Sequence, residues 1–359
     1  RSSAASDVYK RQGLVHALMI SNPNSTSQTN ALFRQIVPCL QAVEGLRLKV
    51  QFTHHPGHAE EMVKGMTRDD YDVIIAVGGD GTVNEVVNGL LGPADGQRPD
   101  PHSIPALAVI PTGSANVFVR ALGFPNTPVE ATHVLARMLE RNLRRTIYLG
   151  TWNDRWFAVN AGFGLDADVL ARVDRAREQG FSATPLRYLN VAIRAWSRAR
   201  KNPPHIAVKA ESSTGEQLRK DDVPLMFTSN TNPWTFLGPL PVVTNPRNSF
   251  DEGLALFGLE EFSGLGGVVG LLHLFGADKR GWLNKLTKEK TVAFDDAMRV
   301  ELVCREPQRF QADGESEGRF DAVTLASVKE AIEVFAPQDR REVHKRTMKE
   351  VLRDFIRLR

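Results

Sequence analysis

The sequence predicts an α/β fold in two parts, an N-terminal parallel-sheet βα domain and a C-terminal β-sandwich-like domain. Up to about residue 145, short apolar runs alternate with helical periodicity, the pattern of βαβ units. Beyond that point, short strand candidates follow one another between turn residues. Glycine-rich turns also stand directly after apolar strands, where parallel sheets place their ligand sites.

The elements follow in order. Residues 1–12 have no apolar periodicity and do not begin with Met, so we read them as an appendage outside the fold. Residues 14–20 form an apolar run bounded by Ser21-Asn22-Pro23-Asn24-Ser25, a buried strand opening into a turn, with a helix expected from about Thr29. Strand signals recur at 50–53, 72–77 and 104–110, with a helix over 60–66. The second part carries strand candidates at 146–149, 156–160, 205–210, 223–228, 254–259, 300–304 and 320–325, and 332–336 is a further strand that could return to the first domain. The expected domains are 13–145, 146–330 and a C-terminal strand and basic helix over 331–359 that returns to the first domain.

Composition excludes several classes. A chain of 359 residues with 42% hydrophobic and 24% charged content is globular, not disordered, and has room for two cores. Lys and Arg number 45 against 42 acids, and a net charge of +3 is too small to argue for nucleic acid as a partner. Cys39 and Cys304 are the only cysteines, which excludes a disulfide framework and leads us to expect a reducing, cytoplasmic address. No run of about 18 apolar residues and no signal-peptide pattern is readable, so a spanning helix is not expected.

The most informative stretch is Gly78-Gly79-Asp80-Gly81-Thr82-Val83-Asn84, which leaves the 72–77 strand and enters an apolar helix. Glycines let a backbone approach a ligand closely, and a helix N-terminus offers free N–H groups and partial positive charge to phosphate. No Lys-Ser/Thr follows, so this is not the Walker pattern; nor does it match GxGxxG with a later acid. Glycines that serve only packing are the competing explanation. Pro111-Thr112-Gly113-Ser114-Ala115-Asn116 repeats the strand-to-helix arrangement, and two such loops at neighbouring strand ends could grip one nucleotide. Ser25 and Thr53 fall at the same sheet edge, although each taken alone is more often just a helix cap.

Taken together these motifs resemble the diacylglycerol kinase catalytic family of lipid kinases, especially its bacterial members, which are related to sphingosine and ceramide kinases. The likeness rests on Asn22-Pro23-Asn24-Ser25, Thr53 with His58-Ala59, Gly78 to Asn84, Pro111 to Pro125, Asn160 to Asp168, Ser249 to Leu254 and Asp313-Gly314-Glu315, all in the family's order. The resemblance implies that Gly78, Gly79, Asp80, Gly81, Thr82 and Asn84 hold ATP phosphates, with Thr53 and Thr112 lining the same site. Asn22, Ser25, Gly113, Ser114 and Asn116 complete the expected nucleotide set. Thr26 stands where the family often has Gly, and Val117 where many members have an acid.

Phosphoryl transfer asks for an aligned hydroxyl, a proton acceptor and neutralisation of the transferring charge by Mg²⁺. By the resemblance, Asp313-Gly314-Glu315 is the catalytic acidic motif, and either Glu315 or Asp313 is the base; a plain Asp-Gly hairpin is the structural alternative. Asp80 could position Mg²⁺. Ser249, Asp251, Glu252 and Leu254 match the region where bacterial members hold a second, structural Mg²⁺ through a carboxylate and main-chain oxygens, although Glu252, not Asp, precedes Gly253.

The expected lipid and membrane contacts lie in three segments. Leu186, Leu189, Ile193 and Trp196 recur at helical spacing beside Arg187, Arg194, Arg198, Arg200 and Lys201, which suits either an anionic membrane surface or a core-facing helix with a solvated basic back. The basic tail from Arg340 and the apolar stretch 262–275 are further candidates for headgroup contact and for covering a lipid cleft. The expectation is thus an ATP- and Mg²⁺-dependent lipid kinase, peripherally membrane-associated, acting on diacylglycerol. A sphingoid-base or other lipid kinase, an NAD kinase-like enzyme and a non-catalytic nucleotide or lipid sensor are the alternatives, and a homodimer is left open.

Overall fold

The computed structural model of the protein describes residues 14–23, 29–163, 203–237, 240–260 and 291–337. They divide into two compact units: one holds the described residues up to Ile147 together with 330–337, and the other Tyr148–Lys329.

The first unit is a parallel sheet with helices between its strands. In chain order it comprises β1 (Val15–Ser21), α1 (Thr29–Gln41), β2 (Leu46–Phe52), α2 (His58–Val63), β3 (Val73–Gly78), α3 (Asp80–Leu91), β4 (Ala106–Pro111), α4 (Val117–Ala121), α5 (Pro128–Glu140) and the start of β5 (Arg144–Trp152). The strand order is β2-β1-β3-β4, all pairs parallel. β3 and β4 are buried along their whole length because helices cover both faces, which explains their unbroken apolar sequences. β2 ends the row, and its alternating exposure with Arg47 and Lys49 outward suits an edge strand. α1 packs on α5, with Ile36, Leu40, Leu135 and Leu139 buried. Val334 pairs in parallel with Leu107 of β4, adding a strand from the C-terminal part of the described chain. Beside it, Glu333 is buried and receives the guanidinium groups of Arg68 at 2.9 Å and Arg144 at 3.5 Å.

The second unit is strand-rich and mainly antiparallel. After β5 come β6 (Arg155–Phe157), β7 (Asn160–Phe163), β8 (Ile206–Ser212), β9 (Gln217–Val223), β10 (Leu225–Ser229), β11 (Thr235–Leu237), β12 (Leu240–Val242), β13 (Leu254–Leu259), β14 (Thr291–Ala312) and β15 (Glu315–Phe335). β14 is its axis and pairs with β7, β8, β13 and β15. Trp152, Phe163 and Phe310 meet in the core, with Phe310 centred 5.1 Å from each of the other two rings.

The mixed α/β class with a β-rich second part is the one expected from sequence, but several strand limits differ. Residues 223–228 are not one strand: β9 ends at Val223 and β10 begins at Leu225, since Pro224 has no N–H for the ladder. Residues 156–160 also split, into β6 and β7. The amides of Ala158 and Val159 are taken by the Asp313 carboxylate instead of a neighbouring strand.

Candidate active site

The connections from β1 to β2 and from β3 to β4 run in opposite directions along the sheet, so the strand order switches between β1 and β3. Ligands of open parallel sheets bind outside the carboxyl ends of the strands at such a point. Three backbone bonds align the candidate loops there. Thr53 N–H donates to Ser21 O at 2.9 Å, Asn22 N–H to Val77 O at 3.4 Å, and Thr112 N–H to Gly78 O at 3.0 Å. Thr53, Asn22, Gly79 and Thr112 therefore stand side by side along one edge. Ser25 lies outside the described residues.

The two glycine loops pack backbone to backbone. A Cβ on Gly113 would lie 2.6 Å from Gly79 Cα, and one on Gly79 would lie 3.2 Å from Gly113 Cα. A Cβ on Gly78 would collide with the Thr82 side chain at 2.3 Å. Loop packing thus requires these glycines whatever else they do. Gly79, the residue before α3, is extended, with φ −95°, and has no side chain with which to cap the helix. The first amides of a helix have no intrahelical acceptor. Those of α3, which include Gly81 and Thr82, lie at the carboxyl edge of the sheet, where Gly79 brings no capping side chain.

Asp80 has a different position from the one expected of a metal-binding or phosphate-facing carboxylate. Its Oδ2 accepts the Val117 N–H and its Oδ1 the Phe118 N–H, both at 2.9 Å. Asp80 is the acid that tethers the second loop and the start of α4 to the first loop. Burial pushes its pKa up, opposed by the two amides and then by Arg120. Asn116 likewise serves its own loop. It is buried with φ 50°; its Oδ1 accepts Gly113 N–H at 2.9 Å, and its Nδ2 donates to Gly113 O and to Asn126 Oδ1, both at 2.8 Å. Asn84 Oδ1 accepts from Asn88 Nδ2 at 3.1 Å, one turn along α3. Thr112, Gly113 and Ser114 remain partly exposed along the loop, as do Gly81 and Thr82. Sequence reasoning missed Glu85. Its two carboxylate oxygens accept the amides of Gly57 and Ala59, at 2.9 and 3.1 Å, fastening the start of α2 to α3.

In the second unit the acidic turn separates its two carboxylates. Asp313 and Gly314 have φ 49° and 84°, the paired positive values of a two-residue hairpin turn between β14 and β15. Asp313 is buried; its Oδ2 accepts Ala158 N–H at 2.8 Å, and its Oδ1 accepts Val159 and Asn160 N–H at 2.7 and 3.2 Å. A carboxylate holding three amides is a poor proton acceptor for a substrate, because those bonds favour its charged form and occupy three of its about four lone-pair sites. Glu315 is exposed on the far side of the turn. Two residues on, Glu317 is partly buried, and burial raises its pKa; Arg155 opposes the rise and Glu315 adds to it. Glu317 was not read from the sequence, where Glu-x-Glu after an Asp-Gly turn looks like an exposed strand.

The residues expected to hold a structural metal, Ser249, Asp251, Glu252 and Leu254, lie in the second unit. Ser249 Oγ accepts Asp251 N–H at 3.3 Å and Ser249 O accepts Glu252 N–H at 3.4 Å, closing a tight turn. Gly253 N–H donates to Asp296 Oδ1 at 2.7 Å, and Leu254 is fully buried where β13 begins. Asp251 and Glu252 keep partly exposed carboxylates, so the donors are all hard oxygens, the type that suits Mg²⁺. The 186–201 stripe, the 262–275 stretch, the tail from Arg340 and Asp166 and Asp168 lie outside the described residues. Among the described residues no helix is long and apolar enough to cross a membrane.

Comparison with known proteins finds relatives in sequence and in fold. Residues 16–146 match the family model described as the diacylglycerol kinase catalytic domain. A diacylglycerol kinase of Staphylococcus aureus strain JH9 is 28% identical over 326 residues, covering 90% of this chain and 93% of its own length. The one from the bovine strain RF122 is 27% identical over 325 residues, with the same coverage. The crystal structure of a diacylglycerol kinase from Bacillus anthracis superposes with a TM-score of 0.64 at 18% identity, covering 90% of this chain and 97% of that one, which speaks for the fold. Fold, loops and relatives together define a kinase. Residues 16–146 match the catalytic domain of diacylglycerol kinases, and the chain is similar to bacterial diacylglycerol kinases over 90% of its length.

Proposed function

We propose that the chain transfers the γ-phosphoryl group of ATP to a lipid hydroxyl, and that the lipid is diacylglycerol, giving phosphatidic acid. The observation that carries this reading is the Asp80 tether, which sets two glycine loops together at the switch point, where α3 begins after a glycine that brings no capping side chain. Uncapped amides at a helix start favour phosphate oxygens. The chain-long similarity to diacylglycerol kinases points to the acceptor.

In this reading Gly79, Gly81 and Thr82 bind phosphate through their amides, with Thr53 and Thr112 beside them. Glu315 accepts the proton of the lipid hydroxyl, since Asp313 is committed to three amides. Glu317, with its pKa raised by burial, is a neighbouring acid able to hold a proton near Glu315. Asp251 and Glu252, with main-chain oxygens of Ser249 and Leu254, are the proposed Mg²⁺ ligands. Mg²⁺ bound with the nucleotide would neutralise phosphate charge. Work on a lipid acceptor would take place at a membrane surface.

The test is phosphate transfer from labelled ATP, with Mg²⁺, to diacylglycerol, sphingosine, ceramide and NAD offered separately. Label in phosphatidic acid is expected. Label in NADP with none in any lipid rejects the proposal.

A further inference from the structure

Beside the phosphate edge, residues 54–61 hold three imidazoles and two carboxylates to which the kinase reading gives no chemical role. We propose that His55, His58 and Glu61 form a site for a borderline divalent transition metal, of the Zn²⁺, Co²⁺ or Ni²⁺ type. These three are the one group of metal-ligating side chains, among the described residues, whose donor atoms all lie within 4.8 Å of one another.

The local backbone is built to bring them together. His58 N–H donates to His55 O at 3.2 Å, and Gly57 has φ 81° and ψ −7°, so His55-Pro56-Gly57-His58 is a type II turn with proline and glycine where that turn favours them. The turn folds the two rings onto each other at 4.6 Å between centroids. His58 opens α2, and Glu61 is three residues on, over the same face of the helix. Glu61 Oε2 lies 3.7 Å from His55 Nε2.

The ring nitrogens are partly pre-assigned. His55 Nδ1 is 3.0 Å from Pro56 O, and a carbonyl can only accept, so Nδ1 carries the hydrogen and Nε2 keeps its lone pair. A backbone carbonyl behind a ligating imidazole is the usual second partner in metal sites. His58 Nδ1 accepts the exposed His54 N–H at 3.0 Å. A metal at that nitrogen replaces one hydrogen bond whose donor can turn to water. The two rings are stacked with 14° between their planes, so one must turn for both in-plane lone pairs to meet a single ion; His55 and Glu61 are exposed and can do so without disturbing the core. Two imidazoles and one carboxylate with an open fourth position match a zinc-type site, whereas Mg²⁺ prefers oxygen alone. The phosphate-associated cation and this one therefore differ in class.

The site is coupled to the kinase loops, because Gly57 and Ala59 donate to Glu85 of α3. A bound metal would stiffen the 54–61 turn against the helix that begins at the first glycine loop.

The test uses the full chain stripped of metal by a chelator and titrated with Zn²⁺ against a chromophoric competitor. One site per chain is expected, weakened more than about tenfold in His55→Ala and also weakened in Glu61→Gln, with unfolding temperature at a fixed Zn²⁺ concentration raised less in each variant than in the unsubstituted protein. X-ray absorption of the Zn²⁺-loaded protein should show two imidazoles and oxygen donors. Affinity unchanged in His55→Ala overturns the proposal, as does sulfur in the zinc shell, which would place the metal at Cys39 and His133, 3.2 Å apart. Kinase activity is not the readout, so the result is independent of the proposed phosphoryl transfer.

Discussion

Asp80 and Val117 are 37 residues apart, yet the carboxylate of one accepts the amide of the other at 2.9 Å. With the parallel bond to Phe118, this makes one acid the joint between the two glycine loops. Its counterpart in the second unit is Asp313, which accepts three consecutive amides, those of Ala158, Val159 and Asn160. Each follows a strand and uses its carboxylate to organise another segment's backbone.

Asp80→Ala should weaken nucleotide binding by separating the loops, since both oxygens of the side chain hold amides of the second loop's helix. Each hydrogen bond to a charged group contributes about 1.5–3 kcal/mol, so urea unfolding should register a loss of at least about that size. Calorimetric ATP titration and denaturation measured together check the point. A variant that loses affinity with unchanged stability would instead place Asp80 in direct contact with the ligand.

Asp313 and Glu315 should part company under substitution. Asp313→Ala strips the acceptor from three buried amides and is expected to destabilise the protein by about 3 kcal/mol or more, since each orphaned buried donor costs about 1–3 kcal/mol. Glu315→Gln, at an exposed position, should leave the unfolding midpoint within about 0.5 kcal/mol while abolishing lipid phosphorylation. Full turnover in Glu315→Gln removes the base from that residue.

Gly113→Ala forces a methyl to 2.6 Å from Gly79 Cα, where the neighbour is backbone and cannot rotate away. The loops must move apart, at a cost of about 1–3 kcal/mol as for overpacking. The expected kinetic sign is a raised KM for ATP with less change in KM for lipid. Steady-state assays varying each substrate in turn decide it.

Burial and then the Asp321 carboxylate push the Cys304 thiol from its ordinary 9.0 to about 11. Its folded pKa is raised, so the stability it contributes is fully present below pH 9 and is lost as pH climbs through about 11, because the unfolded chain gives up the proton first. Unfolding free energy of the native protein should fall across that window, and by less in Cys304→Ala. At pH 8 the native thiol should react with a disulfide reagent much more slowly than after denaturation. Rapid native labelling at Cys304, mapped by mass spectrometry, would contradict its burial.

The α/β class was legible because burial on both faces leaves continuous apolar runs, as in Ala17–Ile20, Val73–Val77 and Ala106–Ile110. The glycine loops were legible for a related reason: only glycine tolerates the backbone contact between positions 79 and 113, so the requirement is written in residue type. The HHPGH turn announced itself less clearly, since a type II turn and a metal site make different uses of the same letters.

What the sequence determined by itself was therefore the kind of chain this is: its alternation of strand and helix, its strand-end loops and its stock of acids. Which acid does what was decided only by tertiary structure. Asp80, Asp313 and Glu315 are equal as letters, because a carboxylate's role depends on the donors around it. The amides that occupy Asp80 and Asp313 come from residues 37 and about 150 positions away, brought there by sheet topology and packing. Glu315, one glycine beyond Asp313, is left exposed because the hairpin turn reverses the chain between them.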